Sequence, residues 1–249
     1  MNNYKKILTE NLGTKLHYYQ AIDSTNNVAK KMENWAHGTI IVAETQTAGR
    51  GTYGRTFYSK VGSGIYMTLI LDTDQWHFKK IDLATHFTAV AVSEAIVEIT
   101  HISPEIKWVN DLFINCKKIG GILTEKEFQS NKLVVGIGIN VSSKQQDFPD
   151  EIKNTAASLA LGHPVDDQAA AIVTRIYELM MQPGDLSNWE IVLSRYKEKL
   201  FILNRVVEVI QGDKVFVAKV VDVDKRGRLL VNDHGENITL EVGEVRIKW

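Results

Sequence analysis

The chain has 249 residues, 44% hydrophobic and 24% charged, an ordinary globular composition with material for one or two cores, which sets aside disordered and fibrous classes. Lys and Arg number 29 against 30 Asp and Glu, a net charge of -1, so no overall positive field exists to hold nucleic acid or an anionic membrane. Cys116 is the single cysteine, which excludes an intramolecular disulfide and a multi-cysteine metal centre and predicts a cytoplasmic protein.

The opening MNNYKKILTENLG lacks the apolar core of a signal peptide, and no stretch reads as approaching the roughly 18 apolar residues of a membrane span, so no membrane association is expected. Ser24-Thr25-Asn26 offers N-cap chemistry. Val28, Met32 and Trp35 then recur at helical spacing, predicting an amphipathic helix that ends before His37-Gly38. Residues 39 to 44 and 65 to 71 read as strands, and the glycine-punctuated stretch between them is too long for a hairpin turn, which marks it as a functional loop. Ile81 to Thr100 reads as one long helix. Residues 105 to 109, 112 to 115, 118 to 127 and 132 to 139 read as successive strands pairing mostly as an antiparallel meander, and 166 to 181 and 185 to 199 as helices separated by Pro183-Gly184.

After Leu200 the pattern changes to short β-rich segments broken by Gly212-Asp213, Lys225-Arg226-Gly227 and Asp233-His234-Gly235, the spacing of a small barrel. A domain boundary near residue 202 is expected, dividing the chain into 1–202 and 203–249. Across 201–249 the charges cancel, 8 basic against 8 acidic, which argues against a nucleic-acid module.

Four strings could carry chemistry, and each has a plainer reading. Gly49-Arg50-Gly51-Thr52-Tyr53-Gly54-Arg55 combines glycines that let backbone N–H groups turn toward a ligand with guanidiniums shaped for carboxylate or phosphate oxygens; it could equally be a solvated surface loop. Its spacing is neither a P-loop nor a dinucleotide fingerprint. Lys107-Trp108-Val109-Asn110-Asp111 runs from a strand into a turn, where Asp111 could hold Mg²⁺ or orient an amine, or simply complete the turn. In Lys117-Lys118-Ile119-Gly120-Gly121-Ile122-Leu123 one lysine could point into a cleft and stabilise a developing anion, against the reading of a solvated strand end. Gly136-Ile137-Gly138-Ile139-Asn140 has glycines that would admit a flat ligand, or that serve tight sheet packing. The seven histidines show no metal-ligand spacing.

Taken in order, these strings resemble the biotin protein ligase family, also called biotin-[acetyl-CoA-carboxylase] ligases. The likeness runs from Ser24-Thr25-Asn26 through all four strings to Gly243-Glu244-Val245. The resemblance implies an α+β fold: a mixed, largely antiparallel sheet flanked by helices, like the catalytic domain of class II aminoacyl-tRNA synthetases, followed by an SH3-like β-barrel. It implies biotin and ATP with Mg²⁺ as substrates and a biotin carboxyl carrier domain as partner, with neither DNA nor membrane. By position, Ser24, Thr25, Asn26, Gln46, Gly49, Arg50, Gly51 and Lys118 would meet biotin. Arg50, Arg55, Trp108, Asn110, Asp111 and Asn140 would serve ATP. Lys118, Arg50 and Asp111 would be catalytic, with Asp111 also nearest to Mg²⁺.

Two departures stand out: Thr52 replaces an arginine credited in relatives with retaining the adenylate, and Val109 replaces a proline, while Phe57 stands where relatives carry tryptophan. A lipoate-protein ligase would share the chemistry and differ in the pocket, where Gln46 and the full Gly-Arg-Gly loop favour biotin. A biotin-sensing regulator that binds DNA would need an N-terminal domain larger than the 23 residues before Ser24. A non-catalytic biotin-binding module would have no use for Lys118, Asp111 and Asn140. Exposed Trp, Ile or Val side chains on a sheet edge would support a homodimer.

Overall fold

Two sheets organise the chain, and the larger positions every residue singled out in the four strings. The computed structural model describes residues 3–161, 166–241 and 244–247; Gly243 of the closing string lies outside them. The chain opens with α1 (Asn3–Leu12), whose Tyr4, Leu8 and Leu12 turn into the core, an element that sequence periodicity does not announce. The edge strand β1 (Leu16–Ile22), equally unannounced, is followed by α2 (Thr25–Lys31) and β2 (Thr39–Gln46), and β1 and β2 pair in parallel.

Ser24 precedes α2 in extended conformation but makes no side-chain cap. The helix also stops sooner than its apolar spacing predicts, because the buried Lys132 ammonium donates to the carbonyls of Lys30 and Met32 at 2.9 and 3.0 Å. A cation on the last carbonyls closes a helix terminus. Val28, Met32 and Trp35 still pack together, against a small cluster of Ala29, Ile41, Ile70 and Val134.

Next come β3 (Gly64–Asp72), α3 (Ala84–Thr100), β4 (Glu105–Lys107), β5 (Asp111–Ile114), β6 (Lys117–Lys126) and β7 (Lys132–Asn140). The seven strands run in the order β1-β2-β3-β7-β6-β5-β4, and β4 to β7 form the expected antiparallel meander. The stretch Ile81–Thr100 is long and apolar enough by composition to cross a membrane, contrary to the sequence reading. Its apolar residues instead pack in the main core, which explains a helix hydrophobic on most sides.

Helices α4 (Asp166–Met181) and α5 (Trp189–Lys199) pack on α3. The helix expected over 185–199 divides: residues 184–187 form a 3₁₀ turn, and Asn188 caps α5 by accepting from the Glu190 amide at 2.9 Å.

The second sheet, β8 (Val206–Gln211), β9 (Lys214–Val223), β10 (Leu229–Asp233), β11 (Glu236–Leu240) and β12 (Glu244–Ile247), is antiparallel in the order β11-β10-β9-β8-β12. Ring nitrogens tie it to the first unit. The Gly227 carbonyl accepts from Trp108 Nε1 at 3.0 Å and lies 2.9 Å from His86 Nε2, and Trp189 Nε1 donates to the Lys225 carbonyl at 2.7 Å. Gly227 has φ +74°, and a Cβ there would lie 2.6 Å from the His86 ring. Burial drives the His86 pKa down to about 4.

Candidate active site

Two cavities open side by side on the large sheet and share a wall made by Gly51, Thr52, Phe57 and Lys118. The first, with about 440 Å³ of empty space, is bounded by Ser24, Thr25 and Asn26 at the start of α2, by Gln46 and Arg50, and by strands β6 and β7 from below. The second, with about 1500 Å³, lies between the glycine loop, β5 and the chain around Thr155, and its rim includes Arg246 of β12. Among the described residues, Arg55, Lys107, Lys118 and Arg246 line it together with one carboxylate, Asp111, a lining rich in cationic groups.

Lys118 and Asp111 meet because the β5–β6 ladder carries a bulge. The register shifts between Leu112 and Phe113, so that Asp111 faces Gly121 and Phe113 faces Lys118. Lys118 Nζ then lies 2.6 Å from Asp111 Oδ1, with the lysine side chain 38% exposed and reachable from either cavity. A Cβ on Gly121 would sit 3.3 Å from that ammonium, so the glycine leaves the pair its space. The backbone of Lys118 also receives the segment after Ile152: its N–H donates to the Thr155 carbonyl and its carbonyl accepts from Ala157, each at 2.8 Å. Asn140 Nδ2 donates to the Ala157 carbonyl at 2.9 Å, fixing the same segment from β7.

The glycine loop is a small hairpin in its own right, which the length argument from sequence did not foresee. Phe57 N–H donates to the Gly49 carbonyl and Gly51 N–H to the Arg55 carbonyl, both at 2.8 Å, around a turn in which Tyr53 has φ +56°. Gly49 is enclosed: a Cβ there would lie 2.4 Å from the Phe57 carbonyl and 2.8 Å from Ser59 Oγ. Gln46 Oε1 accepts from Thr25 N and Oγ1 at 2.8 and 3.1 Å while its amide donates to Ser59 Oγ at 2.9 Å, which joins α2 to the loop's return arm.

Several residues stand elsewhere than the sequence reading expects. Gly136 and Gly138 line the first cavity as well as making room for protein: a Cβ on Gly136 would overlap Asn26 Oδ1, and one on Gly138 would lie 2.7 Å from the Phe57 ring. Trp108 and Gly49 line neither cavity; Trp108 is buried with its indole donating to the Gly227 carbonyl, and Gly49 is enclosed by Phe57 and Ser59. Asn110 lines the first cavity rather than the second, and its side chain donates to the Ile122 carbonyl at 2.9 Å. Arg50 also lines the first, where its guanidinium rests against Glu125 at 3.3 Å. Arg55, Asp111 and Asn140 line the second cavity.

Sequence reasoning passed over Glu125. Burial raises its carboxyl pKa, but the hydrogen bonds from Lys30 and Asn26 and the charges of Lys30 and Arg50 outweigh that and hold it below the ordinary glutamate value. The usable signal is a carboxylate seven residues beyond Lys118, directly after the small and apolar run Ile119–Leu123 and Thr124.

Residues 18–142 match the Biotin/lipoate A/B protein ligase family, half of the chain, and the chain belongs to that family. It is 42% identical over 165 residues to the bifunctional ligase/repressor BirA of Bacillus subtilis, a match covering 64% of this chain and 50% of that protein. With BirA of Escherichia coli it shares 27% over 238 residues, 94% of this chain and 74% of the other. The chain thus spans about half the length of the Bacillus relatives it matches. Its fold is similar to that of the Aquifex aeolicus biotin protein ligase solved with biotin and ATP, with TM-score 0.73 and 28% identity over 93% of this chain and 97% of that one.

Proposed function

We propose that this chain is a biotin protein ligase that activates biotin with ATP to biotinyl-5'-AMP and transfers biotin to a lysine of a biotin carboxyl carrier domain. The observation that carries the reading is the pair of cavities meeting at Lys118: one lined by hydroxyl and amide groups, the other ringed by cations. A two-substrate adenylation needs that arrangement, because the carboxylate of one ligand must reach the α-phosphate of the other. The relatives that are named ligases and the similar structures solved with biotin, ATP or biotinyl-5-AMP support the same assignment.

In the first step a biotin carboxylate oxygen attacks the α-phosphorus, the new carboxyl–phosphate bond forms, and the α–β phosphoanhydride bond breaks with its electron pair leaving on pyrophosphate. Negative charge grows on phosphate oxygens next to the shared wall. Lys118 is the protein cation at that point, and Arg55 with Lys107 would hold the remaining phosphates. Mg²⁺, carried as part of the MgATP substrate, would neutralise phosphate charge. Asp111, a carboxylate lining the second cavity, would supply the protein's share of its coordination.

In the second step the carrier lysine's amine attacks the acyl carbon, an amide bond forms, and the carbon–oxygen bond to AMP breaks. The amine gives up one proton to solvent as the amide forms, and Asp111, beside the reacting centre, would orient the amine. No protein nucleophile is required. The acyl phosphate is sensitive to water, so the glycine hairpin would serve as a cover, with Phe57 forming its apolar underside over Gly138. We further place the division between catalytic and small β units at residue 202 and the protein in the cytoplasm.

Incubation with biotin, MgATP and a carrier domain tests this directly. The carrier gains the mass of one biotinyl group; an unmodified carrier overturns the reading, and modification with lipoate in place of biotin moves the chain to the other branch of the family.

A further inference from the structure

Glu125 gathers polar contacts from three side chains, Asn26, Lys30 and Arg50. Arg50 places NH2 3.3 Å from its Oε1 and NH1 3.5 Å from its Oε2, while NH1 also donates to Asn27 Oδ1 at 3.2 Å. The same carboxylate pairs with Lys30 and accepts from Asn26 Nδ2 at 3.0 Å. One side chain of β6 therefore holds a cation from the glycine loop together with a cation and an amide from α2, the two elements that face each other across the first cavity. Two cations share one carboxylate, so the cluster keeps a net positive charge beside a cavity suited to an anionic ligand. Glu125 is 21% exposed against 40% for Arg50, and the more enclosed partner of such a pair fixes the geometry of the more mobile one.

We propose that Glu125 is a positioning residue for biotin binding: its carboxylate anchors the Arg50 guanidinium and so holds the Gly49–Gly51 backbone across the first cavity before the ligand arrives. This rests on the ligase reading above. Glu125 lines neither cavity and acts through Arg50, which lines the first and not the second, so its loss is felt by biotin before it is felt by ATP.

A double-mutant cycle tests it, using biotin- and ATP-dependent pyrophosphate release by the intact chain. Glu125→Gln raises the KM for biotin by about tenfold, the size expected for one charge-assisted pair, and leaves the KM for ATP within about twofold. In an Arg50→Gln background the same change adds less than about twofold, because the group it positions is gone. Independent, multiplying effects overturn the proposal, as does a loss that falls equally on both substrates. Should Glu125→Gln fail to fold, Glu125→Asp reads the same coupling with the charge withdrawn by one methylene. A wild-type protein with no biotin-dependent pyrophosphate release overturns the ligase reading itself, a result distinct from an active enzyme with an additive cycle.

Discussion

The Lys118 ammonium lies 2.6 Å from Asp111 Oδ1 at the wall where the two cavities meet. Lysine and carboxylate thus hold each other in place, and an incoming phosphate would compete with Asp111 for the ammonium.

Lys118→Met removes the cation and leaves Asp111 unpaired beside bound phosphates. Pyrophosphate release falls by about a hundredfold or more, on the scale of one well-placed electrostatic donor, while biotin still binds. Stopped-flow release and calorimetry with biotin check the two halves separately; unchanged release removes Lys118 from the chemistry.

Thr52 lines both cavities, and a longer cationic side chain there would reach an acyl phosphate from the loop side. Thr52→Arg slows escape of the adenylate by about tenfold, the worth of one charge-assisted contact. Chase of labelled adenylate from the two proteins measures it, and equal off-rates refute it.

Gly136→Ala tests the packing under α2. Its Cβ would occupy the place of Asn26 Oδ1, and Asn26 is tied to Thr68 at 2.7 Å and to Glu125 at 3.0 Å. Displacing a bonded buried side chain costs on the order of 1–3 kcal/mol. The variant melts lower and binds biotin more weakly; an unchanged melting temperature with full affinity contradicts the geometry.

His86 sets an acid limit on stability. Its pKa falls from 6.5 to about 4 on folding, so the unfolded chain takes up a proton in that window which the folded chain refuses. The sign follows: above pH 6.5 His86 contributes no pH dependence, stability declines as pH drops from there toward 4, and the decline from this source then stops. At about 1.36 kcal/mol per unit the full loss is roughly 3 kcal/mol. His86→Gln removes that titration, so urea unfolding from pH 7 to 4 gives a shallower slope for the variant; parallel slopes contradict the assignment.

Motifs were more legible in this chain than their internal logic. Arg50, Gly51, Thr52 and Arg55 of the glycine-arginine loop, with Asn110, Asp111, Lys118 and Asn140, border one or other cavity, because each stands at a strand end or tight turn whose residue types leave a strong local mark. Gly136 and Gly138 did not reveal what fills the space above them, since a missing Cβ is silent about its neighbour. Trp108 read as a site residue from its place between Lys107 and Asn110, yet it faces the small β unit. The edge strand β1, half exposed and paired to a single neighbour, carried too little alternation to be seen. Glu125 escaped notice because its partners are 75 to 99 positions away in sequence.

The most direct test of the central claim, two ligands joined at Lys118, is a crystal structure with a non-hydrolysable biotinyl-adenylate analogue. The vitamin ring lies against Ser24, Thr25 and Gln46, the adenosine in the cation-ringed cavity, and Lys118 Nζ within hydrogen-bonding distance of the acyl phosphate. An analogue bound elsewhere, or bound there with Lys118 turned to solvent, contradicts it.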